Sequence, residues 1–319
     1  MSADPRSVLP ASVPRVRRSE FGHILRDTTR TARGRTGLAL TLFVLLVAFV
    51  GPSFTPYDPE AYVTAPFGPP SGAFRLGGDV LGRDVFSRLL AGGWQLIILA
   101  AAATLIGVGL GALAGIYAGY RRGLPDTLVM RAVDVLLAFP QLVFVLLLVS
   151  VVGPSDWLLV AAVGLSHAPQ VARVLRASTL DVSERDFVKA VEITGVSGRR
   201  VMLGEILPNL VTPLMVEVGL RMTYSIVIMA GLSFIGFGLP PPQPNWGTMI
   251  NENRIGLTLN AWAAVAPAVM IAVLTIGLNT FTDAITRVAL GVDRREVDPP
   301  VVASAQVPVA VGAPGGASE

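Results

Sequence analysis

The stretch Trp94-Gln-Leu-Ile-Ile-Leu-Ala-Ala-Ala-Ala-Thr-Leu-Ile-Gly-Val-Gly-Leu-Gly-Ala-Leu-Ala-Gly-Ile-Tyr-Ala-Gly-Tyr120 carries no charged side chain. It exceeds the roughly 20 residues that a helix rising about 1.5 Å per residue needs to cross the bilayer hydrocarbon. Gly107, Gly111, Gly115 and Gly119 recur within it at every fourth position. That spacing places them on one helical face, where another backbone can approach closely, so they are read as a helix-packing seam. Working outward, further apolar runs lie at 37–54, 132–152, 157–175, 210–238 and 262–290. The sequence therefore predicts an all-α membrane protein with about six transmembrane helices. His167, Pro169 and Arg173 interrupt the run at 157–175, whose second half is expected either to leave the bilayer or to lie buried against other helices. A five-span count is the competing reading.

Composition points the same way. Of 319 residues 52% are hydrophobic and 15% charged, with a mean hydropathy of +0.62, too little polar surface to coat a soluble globule. The lack of cysteine excludes disulfides, thiolate catalysis and cysteine metal sites. A formal charge of +3 and a pI near 9.7 do not call for nucleic acid, because in a membrane protein the placement of charges matters more than their sum.

That placement sets an orientation. Eight arginines precede the first run, and Arg121, Arg122, Arg131, Arg173, Arg176, Arg185, Lys189, Arg199, Arg200, Arg294 and Arg295 fall in connections on the same side. Arg75, Arg83, Arg88 and Arg254 fall on the other side. The positive-inside bias predicts a multi-pass chain with both termini cytoplasmic. The organisation expected is a basic cytoplasmic segment at 1–36, a first span at 37–54, an extracytoplasmic segment at 55–93, a five-helix core at 94–290, and a cytoplasmic tail at 291–319. The first segment is longer than the n-region of a signal peptide, and the Pro-, Ala-, Gly- and Val-rich tail is expected to be disordered.

Candidate chemistry is sparse. Glu217 and Arg221 stand four residues apart on one face of the fifth span, where an unpaired charge costs about 2.5 kcal/mol or more on insertion scales. Two readings stand: a self-neutralising structural pair, or a charged face lining a translocation path. His23 and His167 are too few for a metal cluster, and His167 is read as a helix-packing residue. No nucleophile, base and orienting group stand together in sequence, so the chain is read as non-enzymatic. The single lysine, Lys189, does not sit in a glycine-rich phosphate loop, so any ATP must be hydrolysed by another chain.

Between the fourth and fifth runs, 176–209 is long for a connection and too polar to cross the membrane. Asp186-Phe-Val-Lys-Ala-Val-Glu-Ile-Thr-Gly195 reads as a short helix with Phe187, Val191 and Thr194 at helical spacing. Gly195 can end that helix in a left-handed turn, and Pro208 suits the start of the next. A docking partner is expected here.

This stretch resembles the EAA loop of bacterial ABC importer permeases, in which E-A-A, three residues and Gly are followed roughly a dozen residues on by I-L-P-N. The matching residues are Lys189, Ala190, Val191, Gly195, Ile206, Leu207, Pro208 and Asn209; Lys189 replaces the Glu and Val191 the second Ala. Three more segments resemble the C-type subunit of dipeptide, oligopeptide and nickel permeases. They are Leu76-Gly-Gly-Asp-Val-Leu-Gly-Arg-Asp-Val-Phe-Ser-Arg88, Met130-Arg-Ala-Val-Asp-Val-Leu-Leu-Ala-Phe-Pro140, and Leu232-Ser-Phe-Ile-Gly-Phe-Gly-Leu-Pro-Pro-Pro-Gln-Pro-Asn-Trp-Gly247. Taken alone, 76–88 reads as an amphipathic interfacial helix with surface charge pairing, and 240–246 as an extended outward loop with Trp246 at the interface.

The resemblance implies a type I ABC importer permease of the bacterial cytoplasmic membrane, translocating di- and oligopeptides by alternating access. It implies that Phe187, Val188, Lys189, Ala190, Val191, Gly195, Leu207 and Pro208 form a coupling loop docked on an ATPase. The implied partners are a second homologous permease subunit, two ABC ATPase subunits that bind ATP and Mg, and an extracytoplasmic substrate-binding protein. No cofactor is expected in this chain, and no nucleic acid. A nickel-complex importer is the alternative cargo reading, and an ATP-independent channel or secondary carrier the alternative class.

Overall fold

The computed structural model describes residues 20–238 and 242–291. The first part of the basic segment and the tail expected to be disordered lie outside the described residues, as do residues 239–241 of the Leu232 to Gly247 motif. Helix α1 (Glu20–Arg30) precedes α2 (Ala32–Val50), so the basic segment expected at 1–36 is helical from residue 20. Thr31 separates the two helices, its hydroxyl accepting the Gly34 amide at 3.0 Å as an N-cap. There follow α3 (Val85–Ala91), α4 (Trp94–Arg121), α5 (Gly123–Leu137), α6 (Gln141–Val152) and α7 (Asp156–Ser183). The chain continues through α8 (Asp186–Ile193), α9 (Gly198–Val201), a π-helical turn at Met202–Ile206 and α10 (Leu207–Asn209). Last come α11 (Val211–Phe234), α12 (Trp246–Asn253) and α13 (Trp262–Ala289).

Among the described residues five helical stretches are long and apolar enough to cross a bilayer, and α5 with α6 makes a sixth if the pair is one span. The pair is bent by 80°, where the sequence predicted one continuous span. Pro140 is the cause: it lacks an N–H for the ladder and pushes Phe139 away from helical geometry. The fourth run differs in the opposite sense. α7 continues through Pro169 to Ser183, and its second half is buried at Val171, Ala172, Leu175, Thr179 and Val182, so it lies against other helices.

What buries it is α4. The two run parallel in constant register, with Gly107 against the Gly164 carbonyl, Gly111 against that of Ala168, Gly115 against that of Ala172, and Gly119 against Arg176 and Thr179. A methyl on Gly111 would lie 2.6 Å from both the Ala168 oxygen and the Val171 Cβ, so side chains are excluded from this crossing. α2 and α13 meet in the same way through Gly37 and Gly277. By contrast Leu42, Phe43, Leu46 and Phe49 of α2, and Val143 and Leu147 of α6, face outward, as lipid-facing side chains do.

At the Trp94 end of α4, residues 76–84 do not form the amphipathic helix that their charges suggest. α3 starts only at Val85, and Asp79, Arg83 and Arg88 are 0%, 2% and 1% exposed. Asp79 Oδ2 accepts from Arg83 Nε at 2.6 Å and pairs with Arg88 Nε at 3.4 Å, while Glu252 of α12 bridges Arg83 and Arg88 at 2.8 and 3.1 Å. Asn253 accepts the Val80 amide, and Asn260 donates to the Leu76 and Gly78 carbonyls. Trp246 is a second correction. It is fully buried rather than interfacial, its indole N–H donating to the Leu89 carbonyl at 2.8 Å and its ring filling the space beside Gly93.

Candidate coupling loop and translocation path

At the other end of α4, the loop after α7 folds back onto the bundle. Val188, Val201 and Ile206 are fully buried in one cluster with Ile116 of α4 and Val171 and Leu175 of α7, and Phe187 and Val191 pack against it. Those residues therefore hold α8 to the body. Gly195, at φ +78°, turns the chain between α8 and α9. Lys189, Ala190 and Ile193 face away, and Ile193 is 87% exposed. The sequence reading passed over Ile193, although a large apolar residue on the polar side of α8 was its visible signal.

The Ile206-Leu-Pro-Asn209 motif has a local explanation. Pro208 cannot donate to the preceding turn, and the helix widens ahead of it so that the Leu207 amide bonds back to Met202. Asn209 Nδ2 donates to the Glu205 carbonyl at 2.6 Å, satisfying an acceptor in the widened turn. Leu207 packs on the buried cluster while Pro208 is exposed.

Lys189 is paired within the chain. Its Nζ lies 3.1 Å from Glu184 Oε2, and Glu184 also accepts from Arg122, whose backbone takes a left-handed φ of +51° at the turn between α4 and α5. The hydrogen bond from Arg122, and then Lys189, hold the Glu184 carboxyl below its ordinary 4.5. A depressed carboxylate stabilises the fold above its unfolded pKa, and the contribution is lost as pH falls through the lower folded value. Solvent screens the exposed trio, so its contribution is small, and the buried contacts of Val188 hold α8 in place.

The second candidate site is the pair in α11. Arg221 Nε donates to Glu217 Oε2 at 2.9 Å, its Nη1 donates to Gln170 Oε1 of α7, and its guanidinium lies 5.5 Å from the centre of the Tyr224 ring. Glu217 is 4% exposed yet borders a cavity of about 550 Å³ between α7, α11 and α13. His167, one turn earlier on α7, is fully buried between helices. Gln141 Nε2 donates to its Nδ1 at 2.8 Å, and Nε2 donates to Ser225 Oγ at 3.0 Å. Ser225 donates to Thr104 Oγ1, which donates to the Ala100 carbonyl. This assignment of donors satisfies every member with a neutral imidazole and ties α6, α7, α11 and α4 together. The structure thus joins Glu217 to Arg221, and gathers Phe187, Val188, Val191 and Leu207 on one buried cluster, while Lys189, Ala190, Gly195 and Pro208 lie on its exposed side.

Membrane-length helices are packed through a glycine seam, and buried apolar contacts hold a polar helical loop against one end of the bundle. The chain belongs to the family of binding-protein-dependent transport system inner membrane components, whose pattern matches residues 111–289. It is 32% identical to a glutathione transport system permease protein of Pectobacterium atrosepticum, over 87% of this chain and 94% of that one. A putative peptide transport system permease protein of Brucella suis is 33% identical over 85% and 92% of the two chains. The dipeptide transport system permease protein of Haemophilus influenzae is 32% identical over 77% and 86%. Among solved structures, the inward-facing MetNI methionine ABC transporter aligns with 61% of this chain and 93% of its own, at 15% identity and a TM-score of 0.48.

Proposed function

We propose that this chain is one of two homologous permease subunits of an importer that carries di- and oligopeptides into the cytoplasm, with both termini on the cytoplasmic side. Two ABC ATPase subunits holding ATP and Mg drive it, and an extracytoplasmic binding protein delivers the cargo. The names of the relatives support peptide cargo, glutathione itself being a tripeptide. The observation that carries the coupling role is the construction of α8: buried Val188 fixes it to α4 and α7 while Ala190 and Ile193 are presented outward. A rigid lever with an apolar tip transmits movement of a bound ATPase to the spans. ATP binding closes the ATPase dimer and shifts the alternating-access equilibrium through its differential affinity for the closed state.

This reading locates docking energy at Ile193 and assigns Lys189 to the internal pair with Glu184. In the assembled transporter, Ile193→Asp is expected to lower peptide-stimulated ATP hydrolysis and uptake together by about 30-fold, the loss of an interface anchor of about 2 kcal/mol. Lys189→Glu is expected to leave docking largely intact. Equal uptake by Ile193→Asp and the parent would contradict the assignment, and a larger loss from Lys189→Glu would move the docking contact to position 189.

A further inference from the structure

One cavity borders Glu217, and a second borders Gln170, the hydrogen-bond partner of Arg221. The larger, about 550 Å³, is lined by Val174, Ser178, Asp181, Asn209 and Glu217 among others. The smaller, about 220 Å³, lies at the Pro140 break and is lined by Gln141, Ser166 and Gln170. Both open on one face of α7, because Ser166, Gln170, Val174, Ser178 and Asp181 follow one another at helical intervals. None of the five is buried, and Val174 and Asp181 are exposed. Arg221 spans the gap: it pairs with Glu217 at the edge of the larger cavity and donates to Gln170 at the edge of the smaller. Lipid would leave an amide, a hydroxyl and a carboxylate unsatisfied, so this stripe faces water or protein.

We infer that the stripe on α7 is the wall of the substrate path in this chain, and that the hydrogen bond from Arg221 to Gln170 is its constriction. This rests on the peptide-import reading above and adds the residues that meet the cargo. The Gln170 amide and Ser178 hydroxyl match the donors and acceptors of a peptide backbone. Arg221 matches a terminal carboxylate, and Glu217 and Asp181 match a terminal ammonium. A passing peptide can substitute its own groups for the bond between Arg221 and Gln170, so that neither side chain is left unpaired while the path is open.

The cysteine-free sequence makes the test direct. Ser178→Cys and Val174→Cys are placed singly in the assembled transporter in membrane vesicles and treated with a cationic methanethiosulfonate, with labelling read on this chain. Val143→Cys, on the outward apolar face of α6, is the comparison. Both stripe cysteines are expected to label, with labelling slowed by transported peptide. Uptake is expected to fall about tenfold or more once the adduct narrows a passage whose lining selects what passes. Val143→Cys is expected not to label. Failure of both stripe positions to label with and without ATP, or labelling that peptide does not slow and uptake does not register, overturns the inference. Peptide uptake by the parent in the same vesicles decides the import reading separately: if the parent transports while the stripe stays unlabelled, only the path assignment fails.

Discussion

Asp79→Asn is expected to destabilise the assembled protein by about 3–5 kcal/mol, the loss seen when one member of a buried ion pair is removed and its partner is left charged. Asp79 is fully buried; its Oδ1 accepts the Leu81 and Arg83 amides at 2.9 Å each, and its Oδ2 faces both Arg83 and Arg88. An asparagine keeps the shape and removes the charge, leaving two buried guanidinium groups to share Glu252, itself 20% exposed. The readout is the temperature at which the purified transporter in detergent loses its fold. Arg254→Gln, at an exposed position beside the same α12, is expected to stay within about 0.5 kcal/mol of the parent. Equal melting of Asp79→Asn and Arg254→Gln would show that the cluster does not hold residues 76–88 to α12.

The glycine seam carries the second large effect. Gly111→Val would place side-chain carbons inside the contact with the Ala168 carbonyl and Val171, where the closest atom is backbone and cannot rotate away. Overpacking of this kind costs about 3 kcal/mol, and here it would also separate α4 from α7 along their shared register. Gly109→Val is the matched comparison, because nothing lies within 4 Å of a methyl group at that position. The same substitution two residues away is expected to be neutral or slightly stabilising, since glycine is the poorer helix former. Assembly yield and melting temperature should therefore separate the two variants; identical behaviour would mean that the crossing tolerates a wider separation than the seam implies.

Both effects bear on what could be read from sequence. The spans were legible because hydropathy and length are local properties, and the seam because a four-residue period is local too. The bend at Pro140 was missed although its signal was present, since a residue before proline disfavours helix; the apolar run on both sides concealed it. Sequence alone does not decide the path of α7 through Pro169, because the deciding factor is burial against α4, a tertiary fact. In the coupling loop, sequence supplied the helix, the turn at Gly195 and the family pattern, but not which face is outward. Nor does spacing reveal that Lys189 pairs with Glu184 of the same chain. Glu252 stands 169 positions from Arg83, and Ser225 stands 58 from His167, so neither network could be inferred from spacing.

Purification of the chain with its native complex, followed by reconstitution into sealed proteoliposomes, tests the central claim most directly. The measurement is ATP-dependent accumulation of a labelled dipeptide or tripeptide in the presence of the binding protein. The account predicts accumulation against a gradient that stops without ATP or without the ATPase subunits. Peptide flux that continues unchanged without ATP would contradict it and identify the chain as part of a passive carrier or channel.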